Sequence, residues 1–229
     1  MNKLTPIALA VLMVSGGAYA AEQQSQGDTV NYVQIRHGLA YQVNHQEPFT
    51  GTLLQKFDNG QNAIQANFVK GKETGIETAW YSNGQVSSKV HYQGGQLNGQ
   101  AQTWYDNGQM AKQANYTSDQ LNGQYQEWAY NGQKIADMSY QKGKVDGKVT
   151  LWYDNGEKRF AGEFKDGEKN GVVDRFYPNG KKSFEAKYVK GKLADGKVTG
   201  FNSQGQKAVE VTLKDHKVVS QQEWMNSDS

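Results

Sequence analysis

Hydrophobic and polar residues alternate along most of this chain, and the alternation resets every 24 residues. Between 99 and 116, Ala101, Tyr105, Met110, Ala114 and Tyr116 are separated by Gln100, Gln102, Gln113 and Asn115. A period of two belongs to a strand with one covered face. Three rows of residues mark the repeat. Asn-Gly recurs at Asn59, Asn83, Asn107, Asn131, Asn155 and Asn179, and Gln204-Gly205 is a late seventh copy. Nine residues before each of these glycines stands another, at Gly51, Gly75, Gly99, Gly123, Gly147, Gly171 and Gly196. Eight residues after it comes an aromatic, at Phe68, Tyr92, Tyr116, Tyr140, Phe164 and Tyr188, with Leu213 in the last copy. Three registers shared by seven copies define a repeat protein.

Asn-Gly between strand-like runs predicts a two-residue type I′ hairpin turn, which needs positive φ at both central positions. That turn at Asn107-Gly108 sets Trp104 opposite Ala111, Tyr105 opposite Met110, Ala101 opposite Ala114 and Gly99 opposite Tyr116. One face then collects Ala101, Thr103, Tyr105, Met110, Lys112, Ala114 and Tyr116, and the other Gln102, Trp104, Ala111 and Gln113. The pairing of glycine with ring suggests an aromatic laid over a bare backbone. Links such as Tyr140 to Gly147 are short and rich in turn formers. The predicted fold is therefore all-β, an elongated antiparallel meander of seven β-hairpin repeats in one twisted or curled sheet. Asn-Gly turns line one rim and Gly-Lys links the other. Fourteen strands at ~4.8 Å make a ribbon of roughly 65 Å.

Five segments follow. Met1 to Ala20 reads as a signal peptide: Lys3 is the charged start, Ile7 to Val14 the apolar run and Ala18-Tyr19-Ala20 the cleavage pattern, with cleavage before Ala21. Residues 21–29 are polar and read as a disordered leader, and residues 30–48 as an N-terminal β cap around Arg36-His37-Gly38. The array runs from 49 to 213, with one extra residue among Leu193, Ala194 and Asp195, and 214–229 hold a closing strand and a polar tail. These readings place the mature protein in the periplasm or outside the cell, without a transmembrane segment. The chain has no cysteine, so neither disulfides nor an acylated cysteine anchor it. Without Lys3 it carries 24 basic and 23 acidic residues, too balanced for a general nucleic-acid binder.

Pro48-Phe49-Thr50-Gly51, the recurring Tyr-x-Asn-Gly and Gly71-Lys72-Glu73-Thr74-Gly75 resemble bacterial variants of the MORN (membrane occupation and recognition nexus) repeat. The resemblance covers about Phe49 to Leu213 and implies the meander fold. Proteins of this type include those labelled YwqK-family antitoxins, which implies binding and neutralising a toxin. MORN repeats elsewhere imply membrane-lipid or protein binding, and the family brings no catalytic residue.

Candidate chemistry is sparse. His37, His45, His91 and His216 occupy unrelated repeat positions, so no zinc site is expected, and no cofactor motif occurs. Asp154 with Glu157 and Glu163 with Asp166 are turn acids, expected to be solvated rather than catalytic. A basic row at Lys70, Lys72, Lys142, Lys144, Lys190, Lys192 and Lys214 falls on the link rim, where it discourages edge aggregation or attracts anionic headgroups. The binding candidates are Trp80, Trp104, Trp128, Trp152, Phe176 and Phe201, one per copy on the polar face. Such a row suits a protein partner or an envelope glycan or lipid; equally, it packs on Lys and Gln stems as a structural element. The expected function is non-catalytic protein binding, with a glycan- or lipid-binding envelope protein as the alternative.

Overall fold

The computed structural model describes residues 28–224. The expected signal peptide, most of the leader and residues 225–229 lie outside them. The N-terminal cap holds β1 (Asp28–Val30), β2 (Gln34–Arg36) and β3 (Leu39–Tyr41). The array follows with β4 (Gly51–Lys56), β5 (Asn62–Val69), β6 (Lys72–Trp80), β7 (Val86–Gln93), β8 (Gln96–Trp104), β9 (Met110–Thr117), β10 (Gln120–Trp128) and β11 (Lys134–Gln141). It continues through β12 (Lys144–Trp152), β13 (Lys158–Lys165), β14 (Glu168–Phe176), β15 (Lys182–Val189), β16 (Lys192–Leu193), β17 (Gly196–Phe201) and β18 (Lys207–Lys214), and β19 (Lys217–Glu223) closes it. The fold is all-β, and from β4 to β15 each strand pairs antiparallel with the next; β15 then pairs with both β16 and β17, and β17 leads through β18 to β19. The sheet stays open, ending on β1 and β19.

The register expected at the glycine series holds. Gly99 pairs with Tyr116 and Ala101 with Ala114. The space over these glycines, however, belongs to the preceding strand and not to the paired ring. A Cβ on Gly99 would come within 2.6 Å of His91 Nδ1, and one on Gly123 within 3.3 Å of Asn115 Cβ. Their φ values of +118° and +112° also exclude an L side chain.

The turn with positive φ at both central residues, expected at Asn-Gly, lies on the other rim. At Asn-Gly the loop has three residues: Gly108 N–H donates to Tyr105 O (2.9 Å) and Tyr105 N–H to Gln109 O (2.8 Å). Gly108 has φ +84°, while Asn107 is absent from the residues at positive φ. This is a type I turn followed by a left-handed glycine. The loop shifts the local register, so Trp104 faces Met110, not Ala111, and a bulge restores the pairing at Thr103 and Lys112. Met110 therefore shares the face of Trp104, contrary to the expectation above. Turns with positive φ at both central residues occur instead at the links, as at Lys142 (49°) and Gly143 (76°) or Ser118 (47°) and Asp119 (65°).

Both rims are stapled from copy to copy. Asn107 Oδ1 accepts from Gln109 N–H inside its own loop (3.0 Å), and Asn107 Nδ2 donates to Tyr130 O of the next loop (3.1 Å). The same reach to the next copy recurs from Asn59, Asn83, Asn155 and Asn179. Asparagine is needed here for its two-ended amide, not for left-handed backbone. Tyrosine hydroxyls do likewise: Tyr81 donates to Trp104 O, Tyr105 to Trp128 O and Tyr153 to Phe176 O, each at 2.8 Å. Where Ala129 replaces the tyrosine, Tyr130 packs its ring 5.2 Å from that of Tyr105 and donates to Asp106 Oδ1. On the link rim, backbone N–H groups reach 22 residues back, as from Gly143 to Leu121 O and from Gly167 to Val145 O.

With one layer, burial comes from neighbours on the same sheet face. Small residues sit at its centre, with Ala66, Ala101, Ala114 and Ala186 at 2% exposure or less, and larger groups flank them. One cluster joins Ala114, Tyr125 and Tyr140, whose rings lie 5.6 Å apart. A second joins Leu53, Ala66, Phe68 and Phe49 of the first copy to Ala40 of the cap. Asp28 and Thr29, read from sequence as leader, form β1 with Val30. It runs parallel to β4 through Asp28↔Gly51 and Val30↔Leu53. Three residues are too few to show in a sequence pattern, yet they cover an otherwise open edge. The extra residue in the last copy interrupts the strand between β16 and β17, and Ala194 N–H turns to Lys187 O.

Candidate functional site

Each member of the aromatic row ends the first strand of its hairpin. Trp80, Trp104, Trp128, Trp152, Phe176 and Phe201 close β6, β8, β10, β12, β14 and β17, and all six are half-buried. The bulge fixes what faces each ring across the strand pair. Trp80 faces Val86 and Trp104 faces Met110; Trp128, Trp152, Phe176 and Phe201 face Lys134, Lys158, Lys182 and Lys207. The row thus divides into a first, apolar part of two rings and a second, cationic part of four. Sequence reasoning missed this division, because it depends on the one-residue shift at the bulge.

The lysines of the second part are mostly neutralised three residues on. Lys134 Nζ lies 3.1 Å from Asp137 Oδ2, Lys207 Nζ 2.7 Å from Glu210 Oε2, and Lys182 pairs with Glu185 and, at 3.0 Å, with Asp174. Lys134 also sits over Trp128, with Nζ 5.5 Å from the ring centroid. Burial works to raise the Asp137 carboxyl, but hydrogen bonds from Gln126, Lys134 and Gln124 outweigh it and hold the pKa below the ordinary value. Amides bridge the same face elsewhere, as Gln102 to Gln113 (3.1 Å).

Beside Trp104 the surface opens into a shallow cleft of about 320 Å³, lined by Gln85, Val86, Lys89, Trp104 and Gly108. A second, of about 330 Å³, lies on the link rim among Lys165, Asp166, Glu168, Asn170 and Lys190. Of the acids expected at turns, Asp154, Glu157 and Asp166 are exposed outside the strands, while Glu163 is exposed within β13, paired with Lys148; Lys70, Lys142 and Lys190 are exposed at their link turns. Among the described residues no three His, Cys, Asp or Glu side chains converge as metal ligands. No helix there is long and apolar enough to cross a membrane.

The opposite face carries titratable groups not anticipated from sequence. Glu73 and Glu77 on β6 are 9% and 6% exposed. They occupy the positions of Leu97 and Ala101 in the next copy and of Leu121 and Tyr125 in the one after, so a break in the apolar pattern marks them. Burial, the charge of Glu77 and a hydrogen bond to it push the Glu73 carboxyl up to about 8. Burial also raises Glu77, opposed by its hydrogen bond to Glu73. The nearby phenol of Tyr92 is raised by burial and by the charges of Glu77, Glu73 and Asp119. Burial thus makes both acids of the pair hold their protons more tightly than an exposed carboxyl does. Neither lines either of the clefts above.

The architecture defines an open β-hairpin repeat scaffold. The family model of the MORN repeat variant matches residues 73–93 and 97–117, the hairpins β6–β7 and β8–β9. No curated protein matches the chain.

Proposed function

We propose that this chain is an exported, non-catalytic scaffold that binds another protein along the face bearing Trp80, Trp104 and Trp128. The observation that carries the reading is the row itself: six aromatics at one repeat position, half-buried, on a sheet face with no second layer. Aromatic side chains that keep part of their surface in water are the common anchors of protein interfaces. Repeat scaffolds present long surfaces suited to that use, and MORN repeats are typically interaction modules. Export rests on Met1 to Ala20. An immunity-type role, binding and neutralising a toxin, is the form of this function that the resemblance to YwqK-family antitoxins favours.

Alanine replacement of Trp104, Trp128 and Trp152 together tests the reading on affinity for a captured partner. Loss of that affinity with the fold retained is expected, and unchanged affinity would refute the surface. The amides and lysines around the rings favour a second reading, an envelope glycan or anionic headgroup as ligand. Retention of the chain on purified cell wall or anionic vesicles at low salt, without any protein partner, would establish it instead.

A further inference from the structure

The strand β7 departs from the other copies at two positions on the aromatic face. Opposite the ring, where four later copies have lysine, it carries Val86. Three residues on, where three of those copies place the neutralising acid (Asp137, Glu185, Glu210), it carries Lys89. The pattern of lysine then acid is thus replaced by an apolar residue then lysine. Lys89 is exposed and has no ion pair among the described residues. The ground beside Trp224, at the equivalent place in the last copy, is taken by Lys207, whose Nζ is 5.7 Å from the ring centroid and which is paired with Glu210. Beside Trp104 the same ground is the open cleft, with Val86 as its apolar wall, Lys89 as its cation and the Gln85 amide at its mouth.

We infer that the cleft formed by Trp104, Val86 and Lys89 is the anchor point for an acidic, aromatic-bearing segment of a protein partner. An apolar side chain seats on Trp104 and Val86, and a carboxylate next to it meets the Lys89 ammonium. Charge complementarity selects the occupant: a basic segment meets the unpaired Lys89 cation, while an acidic one supplies the carboxylate that the cleft lining lacks. This inference rests on the protein-binding reading above and narrows it to one copy and one class of partner.

The test uses the full chain and two peptides, Ac-Glu-Phe-Glu-Phe-Glu-NH2 and its lysine counterpart, with the Trp104 indole N–H followed by NMR and Trp152 as internal control. The acidic peptide should move Trp104 and leave Trp152 in place, with binding that weakens as salt is added. Lys89→Glu should weaken the acidic peptide about three- to tenfold and turn preference towards the basic one. Equal binding of both peptides, an unchanged preference in Lys89→Glu, or a response of Trp104 to anionic vesicles alone would overturn the inference. Should the triple tryptophan variant lose a captured partner while Lys89→Glu keeps it at full affinity, this inference falls and the broader binding reading stands.

Discussion

The hairpins β6–β7 and β10–β11 share a backbone and differ in what they bury. Both place a left-handed glycine opposite a tyrosine, Gly75 with Tyr92 and Gly123 with Tyr140, and both bulge before the turn. In β10 the covered face receives Leu121 and Tyr125, packed against Ala114 and Tyr140. In β6 the same two positions hold Glu73 and Glu77. Backbone pairing and rim staples evidently suffice to hold the β6 register while two acids occupy apolar positions. Their burial costs stability, and one oxygen, Glu73 Oε1, is buried without a hydrogen-bond partner.

The largest expected effect separates the two hairpins by sign. Tyr125→Ala should remove roughly 3 kcal/mol, since it empties the ring contact with Tyr140 and the hydrogen bond to Glu127. Glu77→Ala, at the same repeat position, should raise the melting temperature at pH 8, because it removes a buried acid. Equal destabilisation in both variants, measured by thermal unfolding, would end the contrast.

Next comes pH. The folded pKa of Glu73, about 8, lies above its reference value of 4.5, so the folded state holds that proton more tightly. Its contribution is fully present below about 4.5 and is lost as pH rises towards 8. Asp137 works the other way: its folded pKa lies below 3.8, so its contribution exists above that value and disappears as acid is added. Stability should therefore peak at mildly acidic pH, and Glu73→Leu should flatten the alkaline limb only. Denaturant midpoints at pH 5, 7 and 8 check both statements.

Smaller effects sharpen the picture at the rims. Asn107→Ala breaks the bond within its loop and the one to the next loop, so a loss of about 1–2 kcal/mol is expected. Asn131→Ala, where the bond to Gln133 N–H stays within the loop, should cost roughly half as much. Smallest is Lys142→Asn, which places Asn-Gly in a turn with positive φ at both residues and should add about 0.5 kcal/mol in chemical denaturation.

Much of the architecture was legible because period and alternation are set by side chains that repeat seven times. Gly99 with Tyr116 and Ala101 with Ala114 followed from counting alone. The turn types did not. Asn-Gly favours a two-residue turn in isolation, but the stapling amide of Asn107 holds a three-residue loop, bonding Gln109 within it and Tyr130 in the next copy. That misplacement moved Met110 to the wrong face and hid the apolar part of the aromatic row. Glu73, Glu77 and Lys89 were visible as departures from the repeat, yet their meaning depends on knowing which face each departure lands on.

The side-chain staples that join one loop to the next span 23 or 24 residues and reach no farther. Excision of one whole unit from the middle of the array would bring together a donor and an acceptor of the same kinds as those removed. Length is thus a free variable of this design: genes for such proteins can gain or lose copies by unequal recombination without creating a foreign junction, and the span of the sheet changes in whole steps.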